Sequence, residues 1–357
     1  MALAADWNWS NLVDKKTMKL SVHLVTWNGA KYITQLFKSL QEQTRKDWFL
    51  FVWDNNSSDN TVELIKNDVN KLGVQYKIVE NKENLGFAGG HNAVFKTTDG
   101  EYVLLLNQDM YLSPDCLEKL LNFLDSHHEA AAVSPRLMKW DFANGEFTNI
   151  IDTLGLKIFK NRRVMDWLAG EEWQENVIPA KAEIQLEVFG ISGALPMYRR
   201  AALETVSFSN GDFFDASYHS YKEDVDLAYR LASAGFKSYV LSDAVAYHDR
   251  AGVGPKTMND AAALANKKTQ STWVKYHSYK NHLMTLYKNE YWQNFLLDFF
   301  WILWYEVKKF VYFLLLDRGV LIGLKEIWKM RKELKENRKW IIKKRKISWV
   351  EMRKLHV

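Results

Sequence analysis

The chain carries a carboxylate directly after its second apolar stretch, where a buried strand would end. This residue, Asp54, follows residues 48–53 in the run Val-Trp-Asp-Asn-Asn-Ser-Ser-Asp. A carboxylate there can accept a hydrogen bond from the imide N–H of a uracil or thymine ring, and Trp27 or Trp53 offers the ring a stacking surface. The structural alternative is a turn that ends the strand, because Asp and Asn are common in such turns. Taken alone, the position of Asp54 favours the interpretation that it ends the strand in a turn.

A second carboxylate, Asp109, follows the most apolar stretch of the chain and the two amides Asn107 and Gln108. It can bind a divalent cation that bridges a diphosphate, because Mg²⁺ takes one or two protein carboxylates when phosphate oxygens supply further ligands. The alternative is a carboxylate that caps the helix predicted to begin near Pro114. His248 also ends an apolar stretch, and its neutral imidazole is a candidate for a second metal ligand, although a lone histidine is more often structural.

Residues 84–92 read Asn-Leu-Gly-Phe-Ala-Gly-Gly-His-Asn and place three glycines just before a predicted helix. Glycines let the backbone approach a ligand closely, and a helix N-terminus favours phosphate oxygens. The spacing is not G-x-G-x-x-G, so it does not indicate a dinucleotide fold. A plain strand-to-helix turn explains the run equally well when it stands alone.

Three carboxylates begin a helix predicted at residues 223–234. Asp226 lies four residues before Arg230, and this spacing predicts a surface ion pair. Glu223 and Asp224 remain to deprotonate a hydroxyl group from a rigid element. The alternative is that these acids only stabilise the helix through its dipole, by about 0.3–1 kcal/mol each.

Several other classes of protein are excluded or disfavoured. The sequence contains no H-E-x-x-H, G-x-S-x-G or G-x-x-x-x-G-K-[ST] motif, which disfavours a zinc hydrolase, an α/β-hydrolase and a P-loop protein. The single cysteine, Cys116, excludes a disulfide framework and a cysteine-based zinc cluster, and it fits a reducing, cytoplasmic compartment.

Alternating strands and helices must position these residues. Apolar runs predict strands at 20–26, 48–53, 76–79, 102–106, 131–133, 238–241 and 244–247. Three-and-four spacing of apolar residues predicts helices at 31–43, after Asp59 to 72, from Pro114 to 126, and at 223–234. Repeated strand–helix units with nearly continuous apolar strands predict a parallel sheet covered on both faces, which binds ligands beyond the carboxyl ends of its strands. Residues 147–190 are less regular and predict hairpins, and the chain after residue 254 is predicted to be helical.

Six motifs in this order resemble those of family 2 glycosyltransferases with the GT-A fold, and they extend from Leu20 to about Gly252. They are Val-Thr-Trp-Asn-Gly, Val-Trp-Asp-Asn-Asn-Ser-Ser-Asp-Asn-Thr, Glu-Asn-Leu-Gly-Phe-Ala-Gly-Gly-His-Asn, Leu-Leu-Asn-Gln-Asp, Ile-Ser-Gly-Ala-Leu-Pro-Met-Tyr-Arg-Arg-Ala-Ala-Leu and Lys-Glu-Asp-Val-Asp-Leu-Ala-Tyr-Arg-Leu-Ala-Ser-Ala-Gly. The third is most similar to the rhamnosyltransferase-like branch. The resemblance implies an α/β chain with a Rossmann-like, mostly parallel sheet and helices on both faces. Its catalytic domain would span residues 20–254, between an N-terminal extension (1–19) and a C-terminal helical, aromatic and basic region (255–357).

The resemblance also implies a role for each matching residue. Asp224 would be the general base and Glu223 its supporting carboxylate, while Asp109 and His248 would hold Mg²⁺ or Mn²⁺. Asn107 stands where the family has the first acid of its D-x-D motif. Residues 192–194 would border the sugar pocket. The residues implied to bind the donor are Thr26, Trp27, Asn28, Asp54, Asn84, Gly86, Gly89, Gly90, Asn92, Asn107, Gln108, Gly193 and Ala194.

The activity that the resemblance implies is inverting transfer of a sugar from a nucleoside-diphosphate donor, dTDP-rhamnose or a UDP-hexose. The acceptor would be a hydroxyl of a lipid-linked glycan at the cytoplasmic membrane face, in the biosynthesis of a cell-envelope polysaccharide. The sequence lacks the Q-x-x-R-W motif and transmembrane helices of processive members, which predicts addition of one or a few sugars. The alternatives are a soluble or protein acceptor, or a catalytically silent scaffold that binds nucleotide-sugars.

The charge of the 357-residue chain is unevenly distributed. Residues 325–357 contain 13 Lys/Arg and 4 Asp/Glu, a local net charge of +9, so the rest of a chain with a total of +5 carries −4. Aromatic residues crowd residues 291–316 just before this basic segment, but charged residues interrupt them, so a spanning helix is not expected. The pattern predicts an amphipathic helix in the interface of an anionic membrane, peripheral on the inner face of the plasma membrane, rather than nucleic-acid binding. The alternative is a helical subdomain packed on the catalytic domain or on a partner in a homodimer.

Overall fold

A computed structural model describes residues 18–174, 185–250 and 260–357 of the chain. The predicted domain boundary at residue 254 and all but the last two residues of the predicted N-terminal extension lie outside these ranges. The strands are β1 (Leu20–Thr26), β2 (Trp48–Asp54), β3 (Gln75–Glu80), β4 (Tyr102–Leu106), β5 (Met110–Leu112), β6 (Ala130–Asp141), β7 (Glu146–Thr153), β8 (Leu156–Ile158), β9 (Val164–Asp166), β10 (Gln185–Val188), β11 (Met197–Arg199) and β12 (Lys237–His248).

Helices separate and follow these strands. They are α1 (Ala30–Gln41), α2 (Thr61–Asp68), α3 (Gly86–Phe95), α4 (Cys116–Ser126), α5 (Arg200–Val206), α6 (Glu223–Ser233), α7 (Asp260–Thr269), α8 (Thr272–Asn289), α9 (Trp292–Leu297), α10 (Phe299–Leu316), α11 (Ile322–Lys329), α12 (Arg331–Lys344) and α13 (Trp349–Lys354). The helical character predicted for the C-terminal part is confirmed for residues 260–357. No helix in the described ranges is both long enough and apolar enough to cross a membrane.

The main sheet is parallel at one edge and mixed at the other. Its strand order is β10-β12-β6-β11-β4-β1-β2-β3, with β5 paired to β12 and β7 paired to β6. Strands β1 to β4 are parallel to one another and form one side of the sheet, and β6 pairs parallel with β12. The short β11 lies antiparallel between β4 and β6. The prediction of a parallel sheet is thus confirmed for β1 to β4. The remainder of the sheet contains both parallel and antiparallel strands.

Strand β4 shows why the apolar runs form a sheet covered on both sides. All five of its residues are buried, and successive side chains enter opposite cores. Leu104 and Leu106 pack with residues of α1 and α4, whereas Val103 and Leu105 pack with residues of α3 and α6. Each leucine that is fully buried in this way stabilises the fold by about 1.5–3 kcal/mol. A strand with a polar face would leave one of these helix layers without a partner.

Two local predictions were wrong. The glycine run does not precede α3 but forms its first turns, because the helix begins at Gly86. A Cβ atom on Gly90 would lie 2.8 Å from Val25 Cγ1, so glycine lets the helix pack closely on β1. The two strands predicted at 238–241 and 244–247 are one strand, β12, with a register shift between Leu241 and Val245. The predicted hairpins are present, for example β8 paired with β9.

Candidate active site

The predicted ligand-binding residues of β1, β2 and β4 meet at the carboxyl edge of the sheet. Thr26 pairs in register with Asp54, and its hydroxyl donates a 3.1 Å hydrogen bond to that carboxylate. The side chain of Gln108 both accepts from the backbone N–H of Trp27 and donates to its carbonyl. Three segments that are far apart in the sequence thus meet at one edge of the sheet, as the parallel arrangement predicts.

Asp54 is buried and is heavily engaged within the protein. It accepts hydrogen bonds from the Ser57 backbone N–H at 2.8 Å and from the Ser57 hydroxyl at 2.5 Å, besides the bond from Thr26. These bonds form the turn that was the structural alternative for this residue. Asn28 extends the turn, because its side chain accepts from Ser58. Trp27, in contrast, is 54% exposed and offers a free aromatic face beside the turn.

Hydrogen bonds hold the first residues of the glycine-containing segment, 84–92, beside the same edge of the sheet. Asn84 accepts from the N–H of Gly86, and the Asn55 side chain donates to the Gly86 carbonyl. Farther along α3, Asn92 is buried, and its amide forms two hydrogen bonds with the backbone of Phe214. Gly89 and Gly90 face Leu85 and Val25, respectively. Of the predicted donor-binding residues, Asn92, Gly89 and Gly90 therefore face other parts of the protein. Asn84 and Gly86 lie beside the β2 end, and Gly86 also packs against His219, because a Cβ atom there would lie 2.5 Å from the His219 carbonyl oxygen.

The helix with the candidate base begins opposite this edge. The Gly193 N–H donates a 3.3 Å hydrogen bond to Asp224 Oδ2, and the Asn107 N–H donates to the carbonyl of Ala194. Residues 193–194 therefore connect the end of β4 with the first turn of α6. The residues that lead into the helix, Tyr221 and Lys222, both have a φ of 71°. Such left-handed conformations are unusual for non-glycine residues and occur often at functional sites.

Burial raises the pKa of both carboxyl groups at the start of α6. Desolvation, together with the charge of neighbouring Asp224, raises the pKa of Glu223 to about 8. Desolvation is also the largest cause of the raised pKa of Asp224, and Asp166 contributes in the same direction. A buried oxygen of Glu223 accepts no hydrogen bond from the residues that the structure describes. Two adjacent carboxyl groups with raised pKa values are a recognised mark of acid–base sites.

Asp226 and Arg230 form the predicted ion pair, with Nε 2.9 Å from Oδ2, but the prediction that it is a surface pair was wrong. Both side chains are almost fully buried, because α8 covers this side of α6. Lys288 and Asn289 of α8 contribute a cation and an amide to the Asp226 carboxylate. The favourable charges of Lys288 and Arg230 outweigh burial and lower the pKa of Asp226. This carboxylate is therefore a structural anion.

Asp109 and His248 also come together as expected. The Nε2 atom of His248 lies 3.4 Å from Asp109 Oδ1, and its Nδ1 atom lies 2.9 Å from Asp152 Oδ2. Burial alone would lower the pKa of His248, but the two carboxylates outweigh it and raise the pKa to about 9. A carboxylate on Nδ1 orients the imidazole so that Nε2 faces Asp109, the usual arrangement behind a histidine metal ligand.

The donor atoms of these two residues fit a divalent metal that completes its coordination on a diphosphate. Within 18–174, 185–250 and 260–357, no group of three or more His, Cys, Asp or Glu side chains is arranged to hold a metal ion. Phosphate and water oxygens would therefore have to supply the remaining ligands. This is the ordinary case for Mg²⁺, which is seldom bound by a cage made only of protein atoms.

Sequence reasoning missed three residues of this cluster. Asp152 of β7 supports His248, while Arg250 binds Asp166 at 2.7 Å and lies 3.4 Å from the Ser192 hydroxyl. Burial disfavours the charge of Arg250, but the carboxylates of Asp166 and Asp152 outweigh it and raise the pKa of its guanidinium. The one available signal was position, because Arg250 follows the strand-ending His248 by two residues.

The parallel strand edge, the acidic start of α6 and the Asp–His pair define a nucleotide-dependent transferase scaffold of the GT-A type. The model of the family described as Glycosyl transferase family 2 matches residues 21–207, more than half of the chain. The chain therefore belongs to glycosyl transferase family 2.

Individual relatives match smaller parts of the sequence. The chain is 34% identical over 114 residues to the poly(ribitol-phosphate) beta-N-acetylglucosaminyltransferase TarS of Staphylococcus aureus. That alignment covers 31% of this chain and spans only 20% of TarS.

Two solved structures share the fold. The mannosyltransferase PcManGT from Pyrobaculum calidifontis, in complex with GDP-Man and Mn²⁺, aligns with a TM-score of 0.50 and 16% identity, covering 92% of this chain and 86% of that chain. GalNAc-T7 with UDP, GalNAc and Mn²⁺ aligns with a TM-score of 0.54 and 12% identity, covering 77% and 48%. These likenesses show the GT-A fold.

Proposed function

We propose that the chain catalyses the inverting transfer of a sugar from a nucleoside-diphosphate donor to a hydroxyl group of a glycan acceptor. One observation supports this proposal most strongly. Asp224, a carboxylate with a raised pKa, begins a helix that is linked through Gly193 to the strand edge bearing Asp109. A base, a candidate metal-binding pair and the ends of β1, β2 and β4 thus line one region, which is what a single displacement at a sugar carbon requires.

In the proposed reaction, Asp224 accepts the proton of the acceptor hydroxyl as that oxygen forms a bond to the anomeric carbon. The bond between this carbon and the diphosphate oxygen breaks, and its electron pair leaves with the nucleoside diphosphate. Attack from the face opposite the leaving group inverts the anomeric configuration. The raised pKa of Asp224 strengthens it as a base, and such bases typically contribute about 10²–10⁴-fold to the rate.

Glu223 is proposed to support Asp224 as its protonated neighbour. Because the pKa of Glu223 is about 8, this carboxyl group holds its proton at neutral pH. The start of α6 then carries one negative charge at the base and not two adjacent ones. The Asp224 carboxylate also keeps its orientation, because the backbone N–H groups of Gly193 and Val225 donate to its two oxygens.

Asp109 and His248 are proposed to hold a divalent metal, Mg²⁺ or Mn²⁺. When bound, the metal supplies positive charge that stabilises the departing diphosphate. Asp152 holds the imidazole in place through Nδ1, and Arg250 adds a cation beside Ser192 in the same region. Asn107 and Gln108 contribute through position, since one joins β4 to residue 194 and the other holds the Trp27 loop.

The donor sugar and the acceptor are proposed at the level of class. The glycine-containing segment favours dTDP-rhamnose by its resemblance to the rhamnosyltransferase-like branch, whereas the name of TarS favours transfer of N-acetylglucosamine. A UDP-hexose is the other donor proposed. TarS acts by its name on poly(ribitol phosphate), which supports a cell-envelope polymer or its lipid-linked precursor as the acceptor here. A soluble or protein acceptor is the second candidate.

A donor screen tests this proposal. Purified protein with Mn²⁺ would be offered dTDP-rhamnose, UDP-glucose and UDP-N-acetylglucosamine, and both donor binding and nucleoside diphosphate release would be measured. We expect one donor to bind and to be turned over when a lipid-linked glycan is added. A silent scaffold would bind a donor but release no nucleoside diphosphate with any acceptor, and that result would contradict the proposed activity.

A further inference from the structure

Helix α10 turns two of its three charged residues, Glu306 and Lys309, inward and most of its apolar residues outward. Its buried face is formed by Ile302, Lys309 and Phe313, with Glu306 beside them. Its outer face exposes aromatic and aliphatic side chains at three- and four-residue spacing: Phe300, Leu303, Trp304, Val307, Phe310, Val311, Leu314 and Leu315. Among the largest exposures are Phe300 at 81% and Trp304 at 63%. This arrangement is the reverse of a helix on an ordinary soluble surface.

The inward charges are well paired, so the orientation of α10 is specified by the fold. The Glu306 carboxylate lies 2.7 Å from His282 Nε2 and 3.1 Å from Lys309 Nζ. Burial would raise the pKa of Glu306, but His282 and the Lys309 ammonium outweigh it and lower the pKa to about 2. A rotation of α10 that buried its apolar face would separate Glu306 from His282 of α8 and expose both side chains.

The surface from α9 to the end of α10 also shows no unpaired carboxylate. Residues 290–317 contain four acidic residues, and each pairs with a cation inside the protein. Glu290 and Asp298 both bind Arg162, Glu306 binds Lys309, and Asp317 binds Lys275. The outer face of α10 retains one charged residue, Lys308, whose ammonium lies 5.6 Å from the Trp304 ring. An apolar face from which negative charge is removed is suited to an anionic partner.

Basic residues are also exposed on the next two helices of the chain. Trp292 and Phe295 of α9, Ile302 of α10 and Arg338 of α12 line one open groove of about 350 Å³, which places α12 beside the exposed aromatic residues of α9. Exposed lysines and arginines on α11 and α12 are Lys325, Lys329, Arg331, Lys332, Lys335, Lys339 and Lys343. Aromatic residues at the apolar boundary with basic residues next to them are typical of helices that lie in a membrane interface.

We propose that the outer face of α9 and α10 docks into the interface of an anionic lipid bilayer, with α11 and α12 against its phosphate groups. The four inward-turned acids and the basic helices argue for a negatively charged occupant. A second copy of the chain would instead bring two basic segments together, at a cost in electrostatic energy. The helix would lie in the plane of the interface, since no described helix is suited to spanning.

A vesicle flotation assay with the full chain tests this inference. Binding to phosphatidylcholine vesicles would be compared with binding to vesicles that also contain phosphatidylglycerol. We expect the chain to float only with the anionic vesicles and to dissociate as salt is raised, because salt screens the attraction of basic residues to headgroups. Equal binding to neutral vesicles, or no binding to either, would overturn the proposal.

A pair of substitutions localises the contact. Trp301→Ser with Trp304→Ser removes two exposed rings and is expected to weaken vesicle binding by about tenfold or more. Phe147→Ser is the matched control, because Phe147 is 47% exposed but lies on β7 of the sheet, and its binding should equal that of the parent. Urea unfolding of each variant checks that the fold is intact.

The same variants test whether a second copy of the chain occupies this face instead of a membrane. If sedimentation shows a dimer that the double substitution dissolves, while vesicle binding is absent, the face is a contact between copies and the proposal is wrong. The inference rests on the exposure and charge of these helices and not on the transfer reaction. Vesicle binding can therefore fail while sugar transfer holds, and the two outcomes are distinguishable.

Discussion

Lys288 of α8 and Asp226 of α6 form a fully buried ion pair, with Nζ 3.0 Å from Oδ1. The same ammonium lies 2.5 Å from Asp215, so one cation serves two buried carboxylates. Asp226 stands two residues after Asp224, on the helix that begins with the proposed base. The C-terminal helices therefore hold the base-bearing helix in place, in addition to exposing the apolar face of α10.

We expect Lys288→Met to destabilise the protein by about 3–5 kcal/mol, because it leaves two carboxylates buried without their shared cation. The free energy of unfolding in urea measures the loss. Lys339→Met is the control, since Lys339 pairs with Glu336 on the exposed surface and such pairs contribute at most about 1 kcal/mol. Equal losses in the two variants would contradict the structural role of Lys288.

The raised pKa of Glu223 predicts a pH-dependent effect on stability. Between its ordinary value of 4.5 and about 8, folded Glu223 keeps a proton that the unfolded chain has released. The parent must therefore lose stability as the pH rises through this window. Glu223→Gln carries no titratable group, so its stability relative to the parent should increase from about pH 5 to about pH 8 and then level off.

Urea unfolding at several pH values measures this difference. Glu204→Gln is a suitable control, because the Glu204 side chain is largely exposed and is 3.9 Å from Arg200 at its nearest. Its stability relative to the parent should show little change across the same range. A flat profile for Glu223→Gln as well would show that Glu223 is ionised in the folded protein at neutral pH.

The proposed metal site predicts a graded series of binding defects. Asp109→Ala and His248→Ala should each remove a ligand and abolish most Mn²⁺ binding in the presence of a nucleoside diphosphate. Asp152→Asn should weaken binding by about 10–100-fold, since it alters the group that orients His248 and removes no proposed metal ligand. Electron paramagnetic resonance of free Mn²⁺ measures binding without reference to turnover.

Asp243→Asn supplies the control for this series, because Asp243 lies at the exposed bulge of β12 and approaches Lys119. Its Mn²⁺ affinity should match that of the parent. Unchanged affinity in Asp109→Ala would remove this residue from the metal site and leave its contact with His248 as a structural one.

Strands whose two faces are both buried were predicted well from the sequence. The limits of β1 and β4 match the apolar runs at 20–26 and 102–106, because such strands need apolar residues at nearly every position. Strand β7 and the short strands β5 and β11 were not predicted individually. Their lengths or half-exposed patterns carry little periodicity, and they form because neighbouring strands supply their hydrogen bonds.

The site residues that could be predicted from the sequence are likewise those that follow buried strands. Residues at the ends of predicted strands, such as Asp109 and His248, could be grouped because a parallel sheet brings its carboxyl ends together. Asp152 and Arg250 were missed, since their contacts join segments that no local pattern relates. The prediction that Asp226 lies at the surface was wrong for a similar reason. Helix spacing predicts its ion pair with Arg230 but not its burial under α8.

The rate of sugar transfer by Asp224→Asn tests the central claim most directly. With the donor identified by the screen, turnover and donor affinity would be measured for this variant, for the parent and for the Asp243→Asn control. We predict a loss of about 10²–10⁴-fold in kcat with donor affinity retained, because the amide preserves the shape of the side chain but cannot accept the proton. Turnover equal to that of the parent would contradict the assignment of Asp224 as the base.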